Sequence, residues 1–345
     1  MWKRTLCLAT VPLWLGCKDP SVAPAGKSEG DHGIRGPNVL GRHSITDNPQ
    51  TAPTEQAPDA VGFLADGTVL SSGPWPQGGR VRRWNLATRT SAQLATSKDM
   101  AIAVSPSGKL FAVNENAAPD HIDIYRANGD RSSRVAQGLY PHLAEFSAGD
   151  GCLVVATEGD NKLVRVNLSD GEVTEVAEAN PDQLIQAVGV SAACELVASG
   201  GNRVRIFSAS RPNSRIELSP EFLNVASLGF TEKGDLLVTA SENLGVQLWK
   251  AKDGTLQRTL YEGDGAREQG ASNAAYAAAM RGDLLVTGHG NGELRVWNLG
   301  TGTLIDTLKD GPANTILDLA FDVAGTSLVS LDRKGNVLTW QLKIN

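Results

Sequence analysis

Aromatic residues make up only 5% of this 345-residue chain, so its interior has to be filled mainly by Val, Leu and Ala. Histidine is also scarce. The five residues (His32, His43, His121, His142 and His289) fall singly, and none has a His or carboxylate at zinc-ligand spacing. His121 and His289 stand beside inter-strand turns, where solvation is the simplest expectation. An excess of positive charge is missing too. The formal net charge is −6, and an acidic surface repels phosphate backbones, which argues against nucleic acid as a partner. Beyond residue 20 no stretch carries helical periodicity. Catalytic signatures are absent as well. GVSAA at 189–193 lacks the second Gly of a nucleophile elbow. GHGNG at 288–292 joins two strand-like runs and opens no helix, so it reads as a turn and not a phosphate loop. The Asp-Gly pairs at 66, 170 and 253 lack the alternating acidic ligands of a calcium loop. The sequence therefore assigns no catalytic, cofactor or metal residue.

What the chain does have is self-similarity. GDLLVTGHGNGELRVWNLGTGTLIDTL (282–308) repeats the plan of GDLLVTASENLGVQLWKAKDGTLQRTL (234–260). The residue ending the apolar alternation marks a series: Trp84, Tyr125, Val166, Phe207, Trp249, Trp297 and Trp340. Their spacings are 41, 41, 41, 42, 48 and 43 residues, the period of four-stranded propeller blades. Each unit reads as a short apolar run (SLGF, LDLAF), a polar turn (EKGD, VAGT) and a denser apolar run (LLVTA, SLVSL). The marker strand follows, and then a more polar fourth run (TLQRTL, TLIDTL). Seven units imply an all-β, seven-bladed propeller. The last unit stops at Asn345 without its fourth strand, which would leave an open sheet edge. HSIT at 43–46 is the short β-like run available to fill it. The segment 18–58 lacks the repeat's turns, so an eighth blade is not expected.

The run LLVTGHGNGELRVWNLGTGTLIDTL resembles the WD repeat, and the resemblance covers residue 59 to the C-terminus. It is specific in units 5 to 7 and loose in units 2 to 4, where Tyr125, Val166 and Phe207 replace Trp. No Asp follows any marker Trp, and the Gly-His before the first strand is missing throughout. That departure implies that the family's Asp-His-Ser-Trp hydrogen-bonded tetrad is not available here and that blade stability rests mainly on packing. A quinoprotein-type propeller would place its Trp after the Thr-Gly turn; here Trp comes before it.

The N-terminus carries a charged MWKR followed by TLCLATVPLWLG, an apolar run too short to span a bilayer. It ends in WLGC, which resembles a bacterial lipoprotein leader whose Cys, here Cys17, is lipidated. The alternative is an ordinary secretory leader cut after Ala25. The resulting division is a signal peptide at 1–16, a flexible tether at 17–42 and the propeller at 43–345. Losing Lys3 and Arg4 with the leader leaves 30 basic and 38 acidic residues, a net charge of −8. Export would permit a disulfide between Cys152 and Cys194. They lie 14 and 13 residues before their markers, however, and equivalent points on neighbouring blades are expected to diverge beyond the roughly 7 Å Cα limit for bridging.

These readings imply a non-enzymatic scaffold for protein–protein interaction, a monomer anchored by lipid in the bacterial cell envelope and facing the periplasm or the exterior. The alternative is an envelope enzyme of lactonase or quinoprotein type. Polar channel residues converging from several blades would favour the enzyme, and an Ala-lined channel, as AAYAAAM at 274–280 suggests, the scaffold. Partner binding is expected on the face bearing the loops after the second and fourth strands of each blade. Candidates there are Trp75 and Arg80 in SSGPWPQGGR, and Tyr261 and Arg267 in the long connection at 261–273.

Overall fold

The computed structural model describes residues 38–44, 60–72, 81–88, 90–94, 99–115, 120–178, 185–219, 222, 224–260, 274–308 and 314–343. Their strands form seven four-stranded antiparallel sheets, with no helix among the described residues. Strands a to d of blade 1 are Val61–Phe63, Val69–Ser72, Val81–Asn85 and Thr90–Gln93. Blade 2 comprises Asp99–Val104, Leu110–Glu115, Ile122–Arg126 and Arg131–Val135, and blade 3 Pro141–Phe146, Cys152–Thr157, Lys162–Asn167 and Val173–Glu178. Blade 4 is Ala187–Val190, Leu196–Gly200, Arg205–Ser208 and Arg211–Glu217; blade 5 is Val225–Phe230, Leu236–Ser241, Gly245–Lys250 and Leu256–Leu260. Blade 6 follows as Ala275–Arg281, Leu284–His289, Leu294–Asn298 and Thr303–Leu308. Blade 7 takes Ile316–Phe321, Ser327–Asp332 and Val337–Lys343, and its fourth strand is Asn38–Ser44.

The closing strand starts earlier than HSIT suggests. It pairs from Asn38 opposite Lys343 to Ser44 opposite Leu338, so 38–42, read from the sequence as tether, belongs to the sheet. An outermost strand is recruited by backbone hydrogen bonds, and side-chain composition does not report those.

The seven markers occupy one register position. Each faces a fully buried apolar residue near the start of strand b: Val69, Phe111, Leu153, Val197, Leu237, Leu285 and Leu328. Each marker packs into the preceding blade. Trp297 joins Val238, Ala240 and Leu248 of blade 5; Trp340 joins Val286, Leu294 and Val296 of blade 6; Trp84 joins Val329 and Leu331 of blade 7. The marker thus couples blade to blade, and Trp84 closes the circle. Val166 performs the same service against Ala112, Ile122 and Ile124, which shows that the position requires apolar volume more than an indole.

Polar bonding survives beside that packing. Nε1 of Trp84, Trp249, Trp297 and Trp340 donates to Ser71, Thr239, Thr287 and Ser330 hydroxyls at 2.7, 3.0, 3.0 and 3.0 Å. In blade 6, Thr287 Oγ1 lies 2.9 Å from His289 Nε2, extending the chain by one member. His289 is therefore buried and not solvated, as is His121. Burial first, then the neighbouring Arg295 charge, push His289 down to about 3, against smaller opposing effects of the Ala274 backbone and Glu293. The ring therefore stays neutral, hydrogen-bonded through Nε2 to the Thr287 hydroxyl.

Cys152 and Cys194 form a disulfide with a Cα separation of 6.2 Å, against the expectation of divergence. Counting back from the markers misaligned them. Leu153 faces Val166 but Val197 faces Phe207, so the b–c hairpin of blade 4 is the shorter. That moves Cys194 out of strand b into the a–b turn, at φ 61°, where it meets the start of strand b of blade 3. Neighbouring turns touch elsewhere on the same face. Ala65 N–H donates to Gly108 O at 2.8 Å, Ser107 Oγ to Asp150, Gly282 N–H to Glu232 Oε1 at 3.1 Å, and Arg281 to Val323 O. Gly108 suits this contact on two counts. Its φ is +67°, and a Cβ there would stand 2.5 Å from Ala65 N.

Candidate functional site

Strand a of every blade lines a central cavity of about 380 Å³. Its middle layer can be read from the register. The residues opposite Leu70, Ala112, Val154, Ala198, Val238, Val286 and Val329 are Gly62, Ala103, Glu145, Gly189, Gly229, Ala279 and Ala320. Six are Gly or Ala because the first strands converge at the hub. A Cβ on Gly62 would stand 2.7 Å from Val104 Cβ, and one on Gly189 2.6 Å from Leu228 Cδ1. Glu145 is the exception. The residue is solvent-exposed and belongs to the wall of the lumen. No described residue gives it a hydrogen bond or an ion pair.

Asp318, on strand a of blade 7, is the second lumen carboxyl. Its Oδ2 accepts the Val61 N–H of blade 1 at 2.7 Å and its Oδ1 the Leu319 N–H at 2.8 Å, so it clasps the seam between first and last blades. Burial pushes Asp318 up to about 7, against the pull of those two donors. Burial and then the Asp318 charge push Glu145 up to about 8. Gln186 and Ser227 add neutral polar groups to the wall, and Glu232, Arg281 and Asp322 stand at the a–b-turn end. Among the described residues no three His, Cys, Asp or Glu assemble as a metal site.

Strand direction places the a–b and c–d turns on one face and the b–c and d–a loops on the other. The partner candidates Trp75, Arg80, Tyr261 and Arg267 lie outside the described residues, as does Cys17. Within the described part of the b–c and d–a face, Tyr140 is the large exposed side chain, 58% accessible, in the connection between blades 2 and 3. The sequence reading passed over Tyr140, Glu145 and Asp318. Tyr140 had a visible signal, an aromatic in LYPH just before a strand. The two acids had a weaker one, a charge inside an apolar first strand (HLAEF, LDLAF).

Fold and channel together define the class: a closed seven-bladed β-propeller. No protein-family model matches the chain, and no curated protein does either.

Proposed function

We propose that this propeller is an exported, lipid-anchored scaffold that presents its b–c and d–a face to protein partners in the bacterial cell envelope and has no catalytic role. The carrying observation is the bracing of the disc at its a–b turns. Its a–b turns are joined blade to blade by hydrogen bonds and a disulfide, which makes a stiff base for loops on the opposite face. The disulfide also suits export, because such bonds persist in oxidising compartments, and the WLGC leader suits lipidation at Cys17. Crosslinking and capture from intact cells tests this reading. Trp75→Ala, Tyr140→Ala and replacement of 263–270 by a short Gly-Ser turn should each weaken capture severalfold at unchanged melting temperature. Cys17→Ala should move the protein out of the membrane fraction. Capture surviving all three surface changes would place the contact elsewhere.

The Glu145–Asp318 pair favours the second reading, an envelope enzyme, because raised carboxyl pKa values gather at catalytic sites. Turnover of a lactone by the purified protein, lost in Glu145→Gln, would decide for it.

A further inference from the structure

We infer that the hub of the ring is a binding site for a small organic cation, its ammonium head held between Glu145 and Asp318 and its alkyl part against the Ala and Gly wall. The layer containing Glu145 carries the argument. Six of its seven positions have the smallest side chains available, and three of them are Gly residues against which a neighbouring blade packs closely. A hub serving packing alone would place Gly or Ala on blade 3 as well. It has instead a carboxyl without a partner, turned into a cavity of about 380 Å³, within the size range of small-molecule sites. Asp318 enters from blade 7, three blades along the ring, and interacts with Glu145 electrostatically. The two acids therefore enter the lumen from different blades.

The chemistry of the occupant follows from the walls. An anion is repelled by both carboxylates. A bare divalent ion is poorly served, because calcium takes six to eight oxygens and magnesium demands an octahedron. Two acids on separate walls do not supply that. A monovalent ammonium group needs only two or three acceptors, and its hydrocarbon part is matched by Ala60, Ala226, Ala278 and Leu317. Inside the ring the charge pairing is screened less than on the surface. Glu145 and Asp318 share the cavity wall and interact electrostatically, with Glu232, Arg281 and Asp322 the charged groups at the turn mouth. Protonation of the pair competes with the ligand, so binding strengthens as pH rises from 6 to about 8.5.

Calorimetry of the purified protein with n-pentylammonium chloride tests this, with n-pentanol and calcium chloride as controls. The expected result is saturable binding, one cation per chain, stronger at pH 8.5 than at 6. Glu145→Gln should weaken it at least about tenfold, equivalent to about 1.4 kcal/mol, without lowering the melting temperature. Glu145→Ala should reproduce that loss. Pentanol should not bind, and calcium should not displace the amine. Absence of binding, unchanged affinity in both Glu145 variants, or displacement by calcium at equal concentration would overturn the assignment.

Discussion

Thr287 shows how much one hydroxyl can organise. It accepts from Trp297 Nε1 at 3.0 Å and lies 2.9 Å from His289 Nε2, all three buried. Thr287→Val keeps the shape and leaves an indole N–H and an imidazole nitrogen without partners. The expected loss is about 1–3 kcal/mol for each stranded group, measurable by denaturant titration. His289 itself links stability to acid. Its folded pKa, about 3, lies below the ordinary 6.5, so the unfolded chain binds the proton first. The contribution is complete above pH 6.5 and is lost as pH falls towards 3. His289→Gln should flatten the fall in stability across that window relative to wild type. Glu145 has the opposite sign. Its pKa rises on folding from 4.5 to about 8, so the folded state is favoured below 4.5 and loses that advantage as pH climbs to 8. Glu145→Gln should therefore raise the denaturation midpoint at pH 8.5 and leave it almost unchanged at pH 4.5. A variant less stable than wild type at pH 8.5 would show that the carboxylate is satisfied after all.

Single strands and single bonds close the structure. Asn38–Ser44 is separated from its blade by most of the chain, yet it covers the edge of Val337–Lys343 along its length. Removing residues 1–44 should lower the melting temperature by several degrees and promote dimers through the bared edge, whereas removing 1–37 should change neither. Light scattering and a thermal scan distinguish the two truncations. The disulfide makes a comparable closure between blades 3 and 4. It spans 42 residues, for which chain entropy allows about 4 kcal/mol, native geometry commonly delivering less. Cys152→Ala with Cys194→Ala should cost about 2–4 kcal/mol. Reductant should destabilise wild type by a similar amount and leave the double variant untouched. Equal stability with and without reductant in wild type would mean the bond contributes nothing.

Over the whole molecule, stability is a circular sum of seven similar interfaces, each one marker and its apolar neighbours from the preceding blade. A closed ring loses two interfaces when any blade fails, so unfolding should be cooperative despite the repeat design. The irregularities concentrate meaning. One layer of the hub breaks its Gly/Ala rule at Glu145, and one seam among seven is covalent. The proposed lipidation of Cys17 belongs to this scale as well. Two acyl chains anchor stably where one is marginal, so loss of Cys17 should change location without changing the fold.

Period and pattern sufficed for the architecture. Seven markers at steps of 41 to 48 residues specify seven sheets, because the strand turn-strand plan is local and each copy reports it again. Even the degenerate markers Tyr125, Val166 and Phe207 fell at the right register, since apolar volume at that point is a local requirement of the blade interface. The hub, the seam and the disulfide were decided at longer range. Asp318 meets Val61 across 257 residues, and no linear spacing announces such a neighbour. Cys194 reached Cys152 because one hairpin is shorter than its counterpart, a shift invisible until strands are paired. Glu145 stands out only once seven first strands are laid side by side around one axis. Side-chain pattern repeats along the chain and can be read there; proximity between blades is created by closing the circle.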